Sequence, residues 1–327
     1  MDFILPEKVK KVPVENEKLY DFIIIGAGPA GMTAAVYAAR KKLDTLVISK
    51  DIGGQPLLTS GIENYMGYQY VTGPELMRKF EEQVKQFPVA LLTDEKVAKL
   101  TTGDKGFIIS TTTDKKFRSR SVIIASGKRP RPLNVPGEKE LTGRGISYCA
   151  TCDAPLFGEM DVAVTGGGNS ALTAVIDLLK YARRIYLIDV MPTLTADLTL
   201  IERAKESDKV EFYPGHLVKE IRGTNRVENI VISSKNGGED KTLSVSGVLV
   251  EIGLIPNSEF AKGLVKLNHL QEIVVDCECK TSVEGIFAAG DVTNVPEKQI
   301  IVAAGEGAKA ALSTYNYLLQ KKMERIS

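Results

Sequence analysis

Residues 147–153 read Ser-Tyr-Cys-Ala-Thr-Cys-Asp, so Cys149 and Cys152 stand in a C-x-x-C spacing with Asp153 beside them. Two thiols at this spacing serve two chemistries, a redox-active disulfide or half of a zinc site. A zinc site needs two further ligands, and beyond the pair the chain holds only Cys277, Cys279, His216 and His269 of the soft donor types. The redox reading is the better fit, because two glycine-rich runs accompany the pair: GAGPAG at 26–31 and GGGNSA at 166–171. A lone G-x-G-x-x-G is weak evidence, but here each copy lies between an apolar run and a helical pattern, the context the motif requires. Gly26 permits the tight turn, Gly28 leaves room for a pyrophosphate to approach the backbone, and Gly31 lets the helix pack on the strand. Gly166, Gly168 and Ala171 take those roles in the second copy. The free N–H groups at each helix start, with the positive end of the helix dipole, suit phosphate.

An acidic residue about 20 positions after the motif would accept bonds from an adenine-ribose diol. Asp189 stands there in the second copy, at the end of the run RIYLID. A carboxylate there opposes a 2′-phosphate, which favours NADH over NADPH. Residues 190–192 are Val-Met-Pro, with no cation to hold a phosphate, and Arg183 and Arg184 precede the strand at its far end. In the first copy the corresponding position is Ser49-Lys50, without a carboxylate.

The elements that must position these residues occur twice. The first unit predicts a strand at 21–25, a helix over 32–42 and a strand at 43–49. The second predicts a strand from 161, a helix over 172–182 and a strand ending at Asp189. Downstream of each, short alternating runs broken by turn residues read as a β-meander. They return to strands that end at Gly127 and Gly253. The tail from Gly285 has a strand, a glycine turn and a terminal helix, and completes the first domain's sheet. The expected fold is α/β, with two Rossmann-like dinucleotide-binding domains, each with a β-meander, the second inserted in the first. The first domain comprises 1–129 and 258–327, with 1–18 as an N-terminal extension, and the inserted domain 130–257. The joints are the proline-rich 128–137 and the Gly253–Asn257 region. Cys277 and Cys279 are expected on one face of a strand running into a turn, as two inert thiols.

The chain has 327 residues, 43% hydrophobic and 25% charged, with a net charge of +1. The balanced charge argues against nucleic acid or a membrane surface as main partner. No apolar stretch approaches the roughly 18 residues of a spanning helix, and the N-terminus lacks the features of a signal peptide. The expected location is the cytoplasm, where four cysteines are catalytic or inert rather than a disulfide scaffold.

Taken in order, GAGPAG at 26, GGQ at 53, ENY at 63, SYCATCD at 147, GGGNSA at 166 and GIFAAGD at 285 resemble the low-molecular-weight thioredoxin reductase family. The resemblance covers the chain from about Tyr20 to its end. It implies FAD in the outer domain at Gly26, Gly28, Pro29, Ala30 and Gly31, with Ser49, Gly54, Gln55, Asn64 and Val97 approaching the cofactor. It adds Gly127, Gly290, Asp291 for the ribityl chain, and Lys298, Gln299 and Ile300 against the flavin. It implies a nicotinamide-binding insert with Gly166, Gly167, Gly168, Asn169, Ser170, Ala171, Asp189, Ile252 and Gly253 at the nucleotide. Cys149 is then the attacking thiol, Cys152 the one facing flavin, and Asp153 the acid for their exchange. No metal is implied. Two departures stand out. NADPH-dependent members carry a histidine-arginine-arginine cluster where this chain has IDVMP, and residue 154 is alanine where the family usually has glycine. In the first of these regions the chain resembles the reductase part of the NADH-dependent alkyl hydroperoxide reductase flavoprotein.

The activity implied is thioredoxin-disulfide reduction, from NADH through FAD and the Cys149–Cys152 pair to a thioredoxin- or glutaredoxin-like small redox protein, by a homodimer. The alternatives are a peroxiredoxin-system reductase, a ferredoxin-dependent reductase, and, outside enzymes, a flavin redox sensor.

Overall fold

Strand β1, Leu19–Ala27, carries a continuous apolar run because both its faces are covered. Phe22 and Ile24 enter one apolar cluster, Ile23 and Ile25 the cluster on the opposite side. The structure, a computed structural model, describes residues 12–58, 62–148 and 150–324, and the side chains of all of these but Leu58, Thr151 and Cys152. Helix α1, Pro29–Arg40, follows directly, ahead of the expected start at Met32. Extended Gly28 caps it, and Pro29 sits where a fixed φ and a missing N–H cost nothing. Strand β2, Thr45–Ile52, runs past the expected end at Ser49. Helix α2 (Gly73–Val84) is capped by the Thr72 side chain, which accepts from the Glu75 N–H. Next come β3 (Ala90–Leu92), β4 (Val97–Gly103), β5 (Gly106–Thr111) and β6 (Lys116–Ile124).

After β7 (Lys128–Pro130), α3 (Glu138–Leu141), β8 (Ile146–Ser147) and α4 (Ala150–Asp153), the second unit repeats the pattern. It contains β9 (Asp161–Thr165), α5 (Asn169–Leu178), β10 (Arg184–Asp189), α6 (Leu198–Lys205) and β11 (Val210–Pro214). Like α1, α5 starts inside its glycine motif rather than at the expected Leu172. Strands β12 (His216–Arg222), β13 (Asn229–Ser234), β14 (Lys241–Ser244), β15 (Gly247–Val250) and β16 (Leu254–Pro256) follow. Strand β17 (Ile286–Ala288) and helix α7 (Ile300–Glu324) close the chain.

The chain divides into two compact units. One runs to Arg129 and resumes at Pro256, and the other is Pro130–Ile255. The second joint falls before Pro256, within the Gly253–Asn257 region and two residues ahead of the domain limit at 257. The reason is local: the Asn257 N–H donates to Gly127 O at 2.9 Å, and its side-chain amide to Ser126 O at 2.8 Å.

The first unit holds a seven-stranded sheet, β3-β2-β1-β6-β5-β4, with β17 also on β6. Strand β6 serves twice. Its start closes the meander antiparallel to β5, and its end lies parallel between β1 and β17. The tail therefore completes this sheet, as the topology expected. Val12 bridges Ala90 and Val14 packs on the core, so part of the N-terminal extension is built into the sheet. The second unit holds a parallel sheet, β11-β10-β9-β15-β8, and a separate antiparallel sheet, β12-β13-β14.

One local expectation fails. Cys277 and Cys279 lie in a turn, not on one strand face: Cys277 is exposed, Cys279 is buried and has φ +64°. Asp276 Oδ1 accepts from the Glu278 and Lys280 N–H groups and bends the chain there. Burial pushes the Cys279 thiol up to about 11, which keeps it unreactive.

Among the described residues no helix is long and apolar enough to cross a membrane.

Candidate active site

The first glycine loop is shaped by three different needs. Gly26 has φ +108°, and a Cβ there would lie 2.3 Å from Ala125 O. A Cβ on Gly31 would lie 1.9 Å from Gly26 O, so only glycine lets α1 rise this close to its own turn. A Cβ on Gly28, by contrast, would meet nothing nearer than Gly53 O at 3.8 Å. That open position at the cap of α1 fits a dinucleotide pyrophosphate on the first-turn N–H groups. Pro29 and Ala30 supply that first turn. The Ser49 hydroxyl accepts from the Ala27 N–H at 3.1 Å and donates to Asp51 O at 2.6 Å, so it ties the loop to the end of β2. The Gly53 N–H donates to Ala27 O at 2.8 Å and sets Gly54 beside Gly28. Gly53, part of the GGQ segment but not among the residues expected at the cofactor, has a φ of +117°, the kind of conformation a Gly-Gly pair signals.

The other residues expected at this nucleotide gather at the carboxyl ends of the parallel strands. The Gln55 side chain donates to Lys128 O at 3.2 Å. The Asn64 amide donates to Gln299 Oε1 at 3.1 Å, just ahead of Ile300 at the start of α7. Gly127 follows β6 with φ +64°. Gly290 has φ +77°, and its N–H donates at 2.7 Å to Glu306 Oε2, a buried carboxylate of α7 that no sequence pattern singles out. Asp291 is half-buried, and no described residue hydrogen-bonds or ion-pairs its carboxylate. Burial raises its pKa, while the charges of Lys298 and Lys128 pull the other way. An unpartnered carboxylate at this depth fits the hydroxyls of a ribityl chain as donors. Lys298 Nζ donates to Thr293 O at 2.6 Å. Val97 puts its side chain into the core, which leaves only its backbone to face a ligand.

The second glycine loop repeats the scheme with one difference. Gly166 has φ +122°, with a hypothetical Cβ 2.3 Å from Glu251 O, and Ala171 is fully buried where the first copy has glycine. At Gly167 a Cβ would lie 1.9 Å from Asp189 Oδ2, so the carboxylate rests directly on the loop. Asp189 is only 7% exposed, and no described residue donates to it. Its position suits a ribose diol as donor. Arg183 is engaged at the opposite end of the strand, with Nε 2.8 Å from Asp161 Oδ1.

Asn169 and Ser170, both expected at the nucleotide, spend their side chains within the protein. Asn169 exchanges bonds with Asp197, donating to its Oδ2 at 3.0 Å and accepting from its N–H at 2.7 Å. The Ser170 hydroxyl donates to Glu251, whose pKa is raised by burial against the pull of Ser170 and the Ala150 N–H. Their backbone N–H groups head α5 and remain the contact they offer a phosphate. Ile252 packs on the second core, and Gly253 O accepts from the Arg131 N–H at 2.9 Å. Cys149 and the side chain of Cys152 lie outside the described residues. Asp153 ends α4 half-buried.

Residues 20–307 match the family described as pyridine nucleotide-disulphide oxidoreductase. The chain is 39% identical to the alkyl hydroperoxide reductase F protein of Pseudomonas putida, over 94% of this chain and 60% of that protein. It is 39% identical to the NADH dehydrogenase of Bacillus subtilis (strain 168), over 93% of this chain and 60% of that one. The chain thus spans about 60% of the length of these curated relatives. Among solved structures it resembles the Lactococcus lactis thioredoxin reductase (FR conformation). The TM-score is 0.82 and the identity 35%, covering 92% of this chain and 99% of that one.

Proposed function

This chain belongs to the pyridine nucleotide-disulphide oxidoreductase family, and from that membership we propose that it is an FAD-dependent protein-disulfide reductase driven by NADH. The observation that carries the reading is the second glycine loop with the Asp189 carboxylate resting against Gly167, in a residue only 7% exposed to which no described side chain donates. A ribose diol satisfies that carboxylate, and a 2′-phosphate repels it.

Bound FAD supplies the two-electron chemistry that connects a nicotinamide hydride to a disulfide. The protein's residues bind and orient. Gly26–Gly31 and the start of α1 hold one pyrophosphate, and Asp291 accepts from the ribityl hydroxyls. Asn64 and Gln299 fix each other beside the start of α7. The start of α5 and Asp189 hold NADH. The Cys149 thiolate attacks one sulfur of the partner's disulfide, forming a mixed disulfide and releasing one partner thiolate. Cys152 then displaces the second partner thiol and leaves the Cys149–Cys152 disulfide to be reduced again. Asp153 serves as the acid for that return step.

The partner is a small thioredoxin- or glutaredoxin-like protein. The 39% identity to an alkyl hydroperoxide reductase protein supports a second reading, a thiol carrier that feeds a peroxidase. We further propose a cytoplasmic homodimer.

The test is anaerobic. The yellow protein is mixed with NADH, NADPH or reduced ferredoxin, and bleaching of the flavin band is followed. Fast bleaching by NADH alone is the expected result. Bleaching only by ferredoxin would refute the nucleotide reading, and a Cys149→Ser protein that reduces partner disulfides at the normal rate would refute the relay.

A further inference from the structure

In the first unit two ammonium groups share one carboxylate. Lys128 Nζ lies 2.8 Å from Glu272 Oε1, and Lys298 Nζ lies 3.4 Å from the same oxygen. The three side chains are 12%, 22% and 8% exposed for Lys128, Lys298 and Glu272. Glu272 has little left to offer: its Oε2 accepts from Asn268 Nδ2 at 2.8 Å, and its own N–H donates to Asn268 Oδ1 at 2.9 Å. Burial alone would raise its pKa, but the bonds from Lys128 and Asn268 and the two lysine charges outweigh it, so Glu272 is ionised. Within the three-residue cluster two cations face one anion, a net charge of +1. Asp291 and Glu306 also feel the charge of Lys298, but among the described residues neither forms an ion pair with Lys128 or Lys298.

A fold does not bury an excess charge without cost. Lys128 follows the end of β6, Lys298 leads into α7, and Asp291 follows β17. Lys128 and Asp291 follow the carboxyl ends of parallel strands, where an open α/β sheet receives its ligand, and Lys298 is tied to the same segment by its bond to Thr293 O. The start of the 25-residue helix α7 adds a positive dipole end on the same side.

We propose that the Lys128–Glu272–Lys298 cluster sets the reduction potential of the flavin, its excess positive charge favouring the electron-rich form. The inference rests on the FAD assignment made above. A hydride brings two electrons and one proton, so the isoalloxazine gains one negative charge unless a second proton follows. A buried cation stabilises that charge, and charge near the ring nitrogens is a recognised means of tuning flavins. The arrangement also permits adjustment in both directions. Loss of either lysine neutralises the cluster, and loss of the carboxylate doubles its charge.

The experiment is an anaerobic potentiometric titration of the FAD-loaded protein and of Lys128→Met, Lys298→Met and Glu272→Gln, with FAD content measured first. Each lysine variant is expected to shift the two-electron equilibrium about tenfold toward oxidised flavin, or about 30 mV. That is of the order of what one unit charge exerts over about 10 Å at an effective dielectric of about 20. Glu272→Gln is expected to shift it the other way, and Lys128→Arg and Lys298→Arg to keep the parent value. A protein that takes up no FAD would overturn the flavin assignment and this inference together. FAD-loaded variants with unchanged potentials, or with all shifts of one sign, would overturn the electrostatic role and leave the flavin assignment standing. Three substituted positions keep the test decisive if one variant fails to fold.

Discussion

The side-chain amide of Asn64 donates to Gln299 Oε1 at 3.1 Å, across a separation of 235 positions in the chain. The bond joins the segment after Gly53–Gly54 to the start of α7. If the pair acts as one element of the flavin site, Asn64→Ala and Gln299→Ala each weaken FAD retention, and the double variant loses less than their sum. The expected coupling is about 1 kcal/mol, measured as FAD affinity in a double-mutant cycle. Additive losses would show that the two residues contact the cofactor independently.

Asp291 gives a pH prediction. Burial raises its pKa above the ordinary 3.8. Between 3.8 and the raised value the folded, FAD-free protein holds a proton that the unfolded chain has released. The stability from that proton is complete below the window and is lost as pH rises through it. Asp291→Asn should therefore flatten this part of the Tm-versus-pH curve of the FAD-free protein, while reducing FAD affinity at neutral pH. A variant that binds FAD as tightly as the parent would show that the carboxylate takes no part in the site.

For the second loop, Gly167→Ala places a methyl group where Asp189 Oδ2 now lies. The carboxylate must move, so KM for NADH rises with little change in kcat. Asp189→Ser should lower the preference for NADH over NADPH by about tenfold or more, the worth of one hydrogen bond to a charged group. Steady-state flavin reduction with both nucleotides reads each effect, and an unchanged ratio would exclude Asp189 as the selector.

Helix packing gives a stability prediction. A Cβ on Gly307 would lie 2.0 Å from Ala30 O, so α7 touches α1 backbone to backbone. Gly307→Ala forces the helices apart and should cost about 1–3 kcal/mol in chemical denaturation. Gly305→Ala, close to the seam but with nothing within 4 Å of the added carbon, should cost no stability.

The glycine positions were legible because their requirements are local: a tight turn, an open approach, a close helix. Gly26, Gly28, Gly31 and Gly166 each stand where the motif demands them. The helix starts were less legible, since Pro29 and Asn169 belong to the glycine motif and to the helix at once. The strand reading of Cys277 and Cys279 failed because alternation says nothing of Asp276, whose carboxylate closes the turn. Glu306, Glu251 and the Lys128–Glu272–Lys298 cluster were invisible for a different reason. Their partners lie far away in sequence, and no spacing rule joins Glu272 to Lys128.

The discontinuous build of the first unit has a consequence for biosynthesis. Everything that Pro130–Ile255 needs is contiguous, so that unit can reach its final fold while the ribosome is still working. The sheet around β1 must wait for β17, and α1 for α7 with Gly307 against Ala30 O. Until then β6 has an open edge and the alanine face of α1 is bare to water. These are the surfaces on which a nascent chain is most exposed to misassociation, and the ones a chaperone would have to shield.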